Sequence, residues 1–172
     1  LLERDEEEIR RLKICGPLNS IDLQYLAEGK GVISNLESID LSEVTLIYDG
    51  GCYRSYSSGG IGDTGFSSSS YSFYLTEETS EVHSSGIPGL SSSSSHSYKG
   101  PDLAGLFMDG PYKHIVMPRG ITRAASYAFS NCANLQEVEF VNGLKYVASS
   151  AFDGCMSLPT LNLEEVESIG VC

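Results

Sequence analysis

Two stretches of this chain share a pattern that strongly limits how it can fold. "AFSNCANLQEVEF" (128–140) and "AFDGCMSLPTLNL" (151–163) each carry Ala-Phe, two residues, Cys, two residues and Leu, and they are 23 residues apart. A period of this length indicates stacked structural units, because each short unit can bury its apolar side only against its neighbours. The repeat therefore predicts the architecture before composition is considered.

The apolar positions align in three C-terminal rows and one row far upstream. The C-terminal rows hold Tyr112, Ile115, Met117, Ile121 and Ala124; Leu135, Val138, Phe140, Leu144 and Val147; and Leu158, Leu161, Leu163, Val166 and Ile169. The upstream row holds Leu36, Ile39, Leu41, Val44 and Ile47. Five matched positions over such a separation indicate one repeating unit.

Each row opens with the block LxxLxL, whose last three residues alternate like a strand. One such strand cannot bury its inner face alone, whereas a stack of copies forms a continuous core. We therefore predict an α/β fold: a right-handed leucine-rich-repeat solenoid with a parallel β-ladder. Short helical or irregular segments would form its convex side, and a helix would cover its N-terminal end.

The Ala-Phe pairs are predicted to lie where the chain turns back across the convex side, with each Phe filling the interior between turns. Cys132 and Cys155 are predicted to lie where the chain turns back into the ladder. Cys132 and Cys155 occupy equivalent positions and are expected on neighbouring turns, about 4.8 Å apart. That spacing permits a disulfide. We favour stacked free thiols, because parallel Cβ vectors seldom give the dihedral angle that a disulfide needs.

These rows, with the "LKYVASSAF" return between them, resemble the BspA-type leucine-rich repeat. The opening "LKICGPLNSIDLQYL", followed by "LESIDLSEV", is also similar to the start of such proteins from anaerobic gut bacteria. The resemblance covers about residues 9–49 and 104–172. It implies a surface-exposed or secreted binding protein, with adhesion to host proteins or to other bacteria as its activity, and it implies no catalytic site.

The chain is predicted to be a single domain, 1–172, in three parts. Residues 1–49 would hold the N-terminal helix (2–11), a strand at Leu12–Ile14 ended by Gly16-Pro17, and the first repeats. A second helix, capped by Asn19 or Ser20, would bury Leu23 and Leu26 and end at Gly29 or Gly31. The strand Leu36–Leu41 would follow.

The middle part, 50–103, breaks the pattern. Between positions 51 and 100, 17 residues are Ser and eight are Gly, a composition typical of segments that cannot bury enough surface to order themselves. "YSFYL" (71–75) nevertheless alternates like a strand. We expect one or two degenerate turns joined by long Ser-rich loops.

The regular 23-residue repeats fill 104–172, and the sequence stops just before the next Ala-Phe position. Either a partner covers the last turn or the natural protein continues beyond Cys172; we favour the second alternative.

Charge and composition exclude several function classes. Eleven Lys and Arg stand against 23 Asp and Glu, a net charge of -12, which disfavours nucleic acids and anionic membranes as partners. No apolar run is long enough to span a membrane, and no signal peptide opens the chain. The five cysteines show neither metal-ligand spacing nor a disulfide framework.

No catalytic motif is present, and we predict no enzyme activity, no cofactor and no metal site. The alternative of a hydrolase with its site in the insertion would need a reactive Ser or Cys beside clustered His and carboxylates.

Solenoids generally bind along an extended concave face, so the outward strand residues are the candidate partner-binding positions. These are Asp40, Lys113, His114, Gln136, Glu137, Glu139, Thr160 and Asn162. Asp40, Glu137 and Glu139 make a candidate acidic strip that suits a basic protein surface or a loosely held Ca²⁺; a solvated sheet face is the alternative.

The sequence thus predicts a non-enzymatic protein-binding or adhesion module, extracellular or on the cell surface, with a host or bacterial surface protein as its partner. The alternative is a structural spacer or stalk within a longer surface protein.

Overall fold

The computed structural model describes residues 9–28, 35–62, 65–85 and 93–170. Over these ranges the chain forms a β-solenoid of about five turns with parallel strands. The predicted N-terminal helix at 2–11 falls mostly outside the described residues, and its last residue, Arg11, begins a strand instead.

The first ladder runs along one side of the solenoid and contains four strands in the order β1-β2-β7-β9. They are β1 (Arg11–Leu18), β2 (Ser38–Leu46), β7 (His114–Val116) and β9 (Glu137–Glu139), and each neighbouring pair is parallel. The inward residues Ile39, Ile115 and Val138 stand in register across β2, β7 and β9. This is the predicted parallel ladder.

A second, shorter parallel ladder carries the return half of each turn. It pairs β8 (Arg123–Ala124), β10 (Tyr146–Val147) and β11 (Ser168–Ile169) in the order β11-β10-β8. Turn 5, the turn that starts at Leu158, is therefore held to turn 4 through Tyr146↔Ser168 and Val147↔Ile169.

Burial of the repeat positions is deep in the middle turns and falls off toward turn 5. Ten of the eleven repeat positions from Leu36 to Leu135 are buried, and the exception is Ile47, which is 46% exposed. In turn 5, Leu163 and Ile169 are 45% and 60% exposed. The prediction that these three side chains point into the core was wrong.

Several predicted element boundaries also differ. β1 does not end at Gly16-Pro17 but continues to Leu18: its register with β2 shifts between Lys13 and Cys15, and the pairing then runs through Gly16, whose φ is 97°. β2 begins at Ser38 rather than Leu36. Leu158–Leu163, predicted as the strand of turn 5, has no strand structure.

One helix, α1 (Ser20–Glu28), crosses the convex side of turn 1. Asn19 caps it: its Oδ1 accepts hydrogen bonds from the backbone N–H of Ile21 and Asp22 at 2.9 and 3.1 Å, and the carboxylate of Asp22 accepts from the N–H of Asn19. Leu23 and Leu26 are buried as predicted.

In turns 2 to 4 the convex side consists of irregular turns at 104–109, 126–131 and 149–154. Backbone hydrogen bonds run from one turn to the next, such as Phe107 N–H to Ala128 C=O and Phe129 N–H to Ala151 C=O. The rings of Phe107, Phe129 and Phe152 stack in a column, with centroids 5.6 and 5.0 Å apart. Phe129 and Phe152 thus fill the interior between turns as predicted for the Ala-Phe pairs, and Phe107, which follows Leu106, takes the equivalent position one turn earlier.

The Ser-rich segment is not a set of degenerate turns, and this prediction was wrong. It folds as a mixed four-stranded insertion sheet in the order β3-β4-β6-β5. The strands are β3 (Cys52–Gly62), β4 (Gly65–Leu75), β5 (Ser80–Ser85) and β6 (Ser93–Gly100). Two antiparallel hairpins, β3–β4 and β5–β6, join through the parallel pair β4–β6. "YSFYL" lies in β4, as its alternation indicated.

The insertion sheet is anchored to the solenoid by buried aromatic residues. Tyr53, Phe73 and Tyr98 belong to the same core cluster as the solenoid leucines. The Tyr53 hydroxyl donates to the backbone carbonyl of Ala104 at 2.7 Å, and burial raises the pKa of this phenol. The half of the segment that is not Ser or Gly thus supplies the core contacts that order it.

Candidate binding surface

The outward residues of the first ladder form three rows across the turns. Ser38, His114 and Glu137 stand in register in one row, and Asp40, Val116 and Glu139 in another. Lys113 and Gln136 belong to the row that begins with Glu37, because the Lys113 N–H bonds to the Glu37 carbonyl and the Gln136 N–H to the Lys113 carbonyl.

Opposite charges pair along the row that begins with Glu37. The carboxylate of Glu37 contacts Arg10 Nη1 at 2.7 Å and Lys113 Nζ at 3.1 Å. The hydrogen bond from Lys113, more than that from Arg10, lowers the pKa of the Glu37 carboxyl. This part of the face therefore carries little net charge.

Asp40 is likewise neutralised. Lys13 Nζ lies 3.3 Å from its carboxylate and 2.9 Å from that of Glu43, and hydrogen bonds from Ser42 hold the pKa of Asp40 below its ordinary value. Val116 separates Asp40 from Glu139 in the register. The predicted acidic strip of Asp40, Glu137 and Glu139 is thus split, and its negative charge is concentrated on β9.

Glu137 and Glu139 are two residues apart on β9 and both are exposed. Glu137 lies 3.2 Å from Nδ1 of His114, and its side chain stays 70% exposed. Residues i and i+2 of a strand face the same side, so the two carboxylates point outward together.

An open groove of about 520 Å³ lies beside β9. Its apolar lining includes Phe140, Leu144 and Leu161, and its polar lining includes Asn162 and Glu165, in addition to the two β9 carboxylates. The groove exists because the chain from Leu158 to Leu163 does not pair with β9 as a strand; β9 is the last strand of its ladder.

The two remaining candidates lie in turn 5. Thr160 and Asn162 are exposed, and Asn162 Oδ1 accepts a hydrogen bond from the Glu164 N–H at 3.0 Å. Asn162 lines the groove, whereas Thr160 is not among the lining residues. The groove itself was not predicted from the sequence, because the repeat implied a continuous ladder through Leu158–Leu163.

Within the described ranges, no group of three or more His, Cys, Asp or Glu side chains is arranged to hold a metal ion. The described part of the chain also has no helix long and apolar enough to cross a membrane.

The cysteine positions behave as free thiols. Cys132 is fully buried and Cys155 half-buried, and neither forms a disulfide. Cys15 is exposed beside Glu43, whose hydrogen bond raises the pKa of this thiol. A higher pKa makes a thiol less reactive as a nucleophile at neutral pH.

Comparison with known families gives one match. A family model described as "BspA type Leucine rich repeat region (6 copies)" matches residues 104–171. Over this region the chain is similar to BspA-type leucine-rich repeats. The matched range contains turns 3 to 5 and the convex turn of turn 2, and the resemblance noted at residues 9–49 lies outside it.

The match to BspA-type repeats agrees with the parallel ladders of the solenoid. Proteins of this family are often surface-associated, and its solenoids are typically non-enzymatic. No significant match was found to a curated protein. None was found to a solved structure.

Proposed function

We propose that this chain is a non-enzymatic protein-binding module of a cell-surface or secreted protein. Its binding surface would be the groove beside β9 together with the outward face of β7 and β9. The observation that carries the proposal is that carboxylates at Glu137, Glu139 and Glu165 surround an open, partly apolar groove.

The shape of the groove favours an extended segment of the partner. β9 ends its ladder, and the edge of a sheet presents backbone N–H and C=O groups that an added strand can pair with. Phe140, Leu144 and Leu161 offer apolar contact beside that edge. An extended peptide would gain main-chain hydrogen bonds from the edge and apolar burial from the groove.

The charge favours a basic partner. The pairs Arg10–Glu37 and Lys13–Asp40 neutralise the turn 1 and turn 2 side of the face, whereas the β9 side keeps its negative charge. With a net charge of -12 on the whole chain, complementary charge would speed encounter with Lys- and Arg-rich segments and fix their orientation.

The test measures binding of defined peptides to the wild type and to two charge variants. Fluorescent ten-residue peptides of equal length, alternating either Lys or Glu with Val, are titrated against each protein. The site variant is Glu137→Gln/Glu139→Gln. The matched control is Glu77→Gln/Glu78→Gln, which removes the same charge from two exposed positions in the insertion.

We expect the basic peptide to bind the wild type and the control, and to bind the site variant at least about tenfold more weakly, the effect of losing roughly 1.4 kcal/mol. Binding should weaken with salt. Equal binding by the site variant and the control would remove the β9 groove as the binding surface. If no peptide binds, the spacer or stalk function becomes the better account.

A further inference from the structure

Two histidines of the Ser-rich insertion meet across neighbouring strands. His83 on β5 and His96 on β6 are direct register partners in the antiparallel pair. Their Nδ1 atoms lie 3.0 Å apart, and their ring centroids lie 4.2 Å apart at 52°. This arrangement plays no part in the core or in the proposed binding surface.

The row to which these histidines belong holds His96 in place. Tyr56, Tyr71, His96 and His83 are consecutive register partners across β3, β4, β6 and β5. The His96 ring stacks on Tyr71, with centroids 4.8 Å apart and planes 10° from parallel. The Tyr127 ring meets Tyr71 edge-on from a convex turn of the solenoid. Stacking and strand pairing together preset the direction of the imidazole.

We propose that His83 and His96 form a binding site for a divalent transition-metal ion, with water completing the coordination. Imidazole nitrogens are favourable ligands for Cu²⁺, Ni²⁺ and Zn²⁺. An ion placed about 2.0–2.1 Å from each Nδ1 would bind where the two nitrogens converge. It would link β5 to β6 without any change in strand register.

The nitrogen separation selects among these metals. With bonds of about 2.05 Å, two nitrogens 3.0 Å apart subtend an angle of about 94° at the metal. A tetrahedral angle would require about 3.3 Å. Square-planar and octahedral ions place neighbouring ligands at right angles, so the geometry of the site suits Ni²⁺ and Cu²⁺ better than Zn²⁺.

Binding changes the protonation pattern of the pair. In the metal-free protein the two Nδ1 atoms lie within hydrogen-bond distance; when both rings are neutral, such a bond requires one ring to carry its proton on Nδ1 and the other on Nε2. A metal needs both Nδ1 lone pairs, so the donor ring transfers its proton from Nδ1 to Nε2 through water. No net proton is released when both rings start neutral.

The experiment titrates Ni²⁺ into the untagged chain, because Ni²⁺ does not oxidise thiols under these conditions. A Cys15→Ser background removes the exposed thiol as a competing ligand. Variants His83→Ala and His96→Ala are compared with His114→Ala, which removes the imidazole that pairs with Glu137. Circular dichroism establishes that each variant is folded, and calorimetry gives stoichiometry and affinity.

We expect one Ni²⁺ per chain in the background protein and in His114→Ala. Loss of an outer-shell partner weakens metal binding at least roughly tenfold, and loss of a direct ligand should cost no less. We therefore expect His83→Ala and His96→Ala each to weaken Ni²⁺ binding at least about tenfold. Unchanged Ni²⁺ affinity in folded His83→Ala would overturn the proposal. Tighter binding of Zn²⁺ than of Ni²⁺ would overturn the assigned geometry.

Discussion

The thiol of Cys132 donates a hydrogen bond to the backbone carbonyl of Phe107, with Sγ and O 2.9 Å apart. One turn later, Cys155 donates to the carbonyl of Phe129 at 3.0 Å. Each repeat cysteine therefore adds a second donor to a convex carbonyl of the preceding turn, which also accepts a backbone N–H, beside the stacked Phe column. The position requires a small side chain that can be buried and still donate a hydrogen bond, which explains why Cys follows Ala-Phe at a fixed distance.

Replacing the repeat cysteines should cost stability in proportion to their burial. Cys132→Ala removes a buried thiol and its hydrogen bond to the Phe107 carbonyl, which still accepts from the Gly110 N–H, so we expect a loss of about 0.5–1.5 kcal/mol in the free energy of unfolding. Cys155 is only half-buried, and Cys155→Ala should cost less. Urea denaturation measures both, and an equal or larger cost for Cys155→Ala would contradict the assigned contacts.

The same burial predicts a loss of stability at alkaline pH. Burial raises the pKa of the Cys132 thiol from 9.0 to about 12. A raised pKa in the folded state means that the unfolded chain loses its proton first, so stability is complete below pH 9 and declines between pH 9 and 12. The contribution of this thiol is at most about 4 kcal/mol.

Cys132→Ser serves as the matched variant, because a hydroxyl does not titrate in this range. Unfolding free energies measured from pH 7 to 11 should decline less steeply for Cys132→Ser than for the wild type. Parallel curves for the two proteins would show that Cys132 does not carry the pH dependence. Tyr112, whose pKa burial raises to about 12, adds a decline in the same direction to both proteins.

The convex turns depend on residues that adopt a left-handed backbone. Asp109, Asn131 and Gly154 have φ of 60°, 59° and 73° at equivalent positions. A Cβ on Gly154 would come 2.8 Å from Asn131 Oδ1, so Gly154→Ala should lose at least about 1–2 kcal/mol.

Ser150 is the matched control for this prediction, because its φ of 55° already lies in the left-handed region. In Ser150→Gly, relief of backbone strain opposes the greater entropy of the unfolded chain, and we expect a change within about 0.5 kcal/mol. Thermal denaturation compares the two variants. A Gly154→Ala protein as stable as Ser150→Gly would show that this turn tolerates a side chain.

Arg54 joins three parts of the chain. Its guanidinium donates to the backbone carbonyls of Ala27 and Leu106, each at 3.3 Å, and its Nη2 lies 3.4 Å from the Asp109 carboxylate. The side chain is only 14% exposed, and burial lowers the pKa of the guanidinium.

Arg54→Lys keeps the charge but cannot reproduce the planar fork of donors. We expect a loss of about 1–3 kcal/mol in unfolding free energy, because buried acceptors lose their partner. Arg119→Lys, at an exposed position, is the control and should leave the unfolding free energy unchanged. If Arg54→Lys left the unfolding free energy unchanged, the insertion sheet would be anchored by Tyr53 and the other buried aromatic residues alone.

The sequence predicted most positions of the middle turns correctly, because these turns have a neighbouring turn stacked on both sides. Leu36, Ile115 and Leu135 are buried, as the period required. Leu163 and Ile169 follow the same period but have no described turn stacked beyond them, and periodicity alone does not carry that information. The convex turns could also be predicted from the residue types at their left-handed positions, Asp109, Asn131 and Gly154, since Asp, Asn and Gly tolerate positive φ.

The insertion could not be predicted in the same way. Pairing of β4 with β6 joins Ser68↔Ser93 and Tyr71↔His96 across 25 residues, and runs of Ser give no alternation that could set a register. The binding groove was missed for a related reason: the sequence gives the position of Leu161 in the repeat but not the separation of its backbone from β9. The site-residue assignments remain predictions for the peptide experiment.

The proposed binding face depends on the stacking of turns in a parallel ladder. Nuclear Overhauser contacts between methyl groups of neighbouring strands test this stacking directly. The register predicts contacts between Ile39 and Ile115, and between Ile115 and Val138. Ile39 and Val138, two strands or about 9.6 Å apart, should show none. A spectrum in which Val138 contacts Ile39 directly, or lacks contact with Ile115, would contradict the parallel ladder and the face built on it.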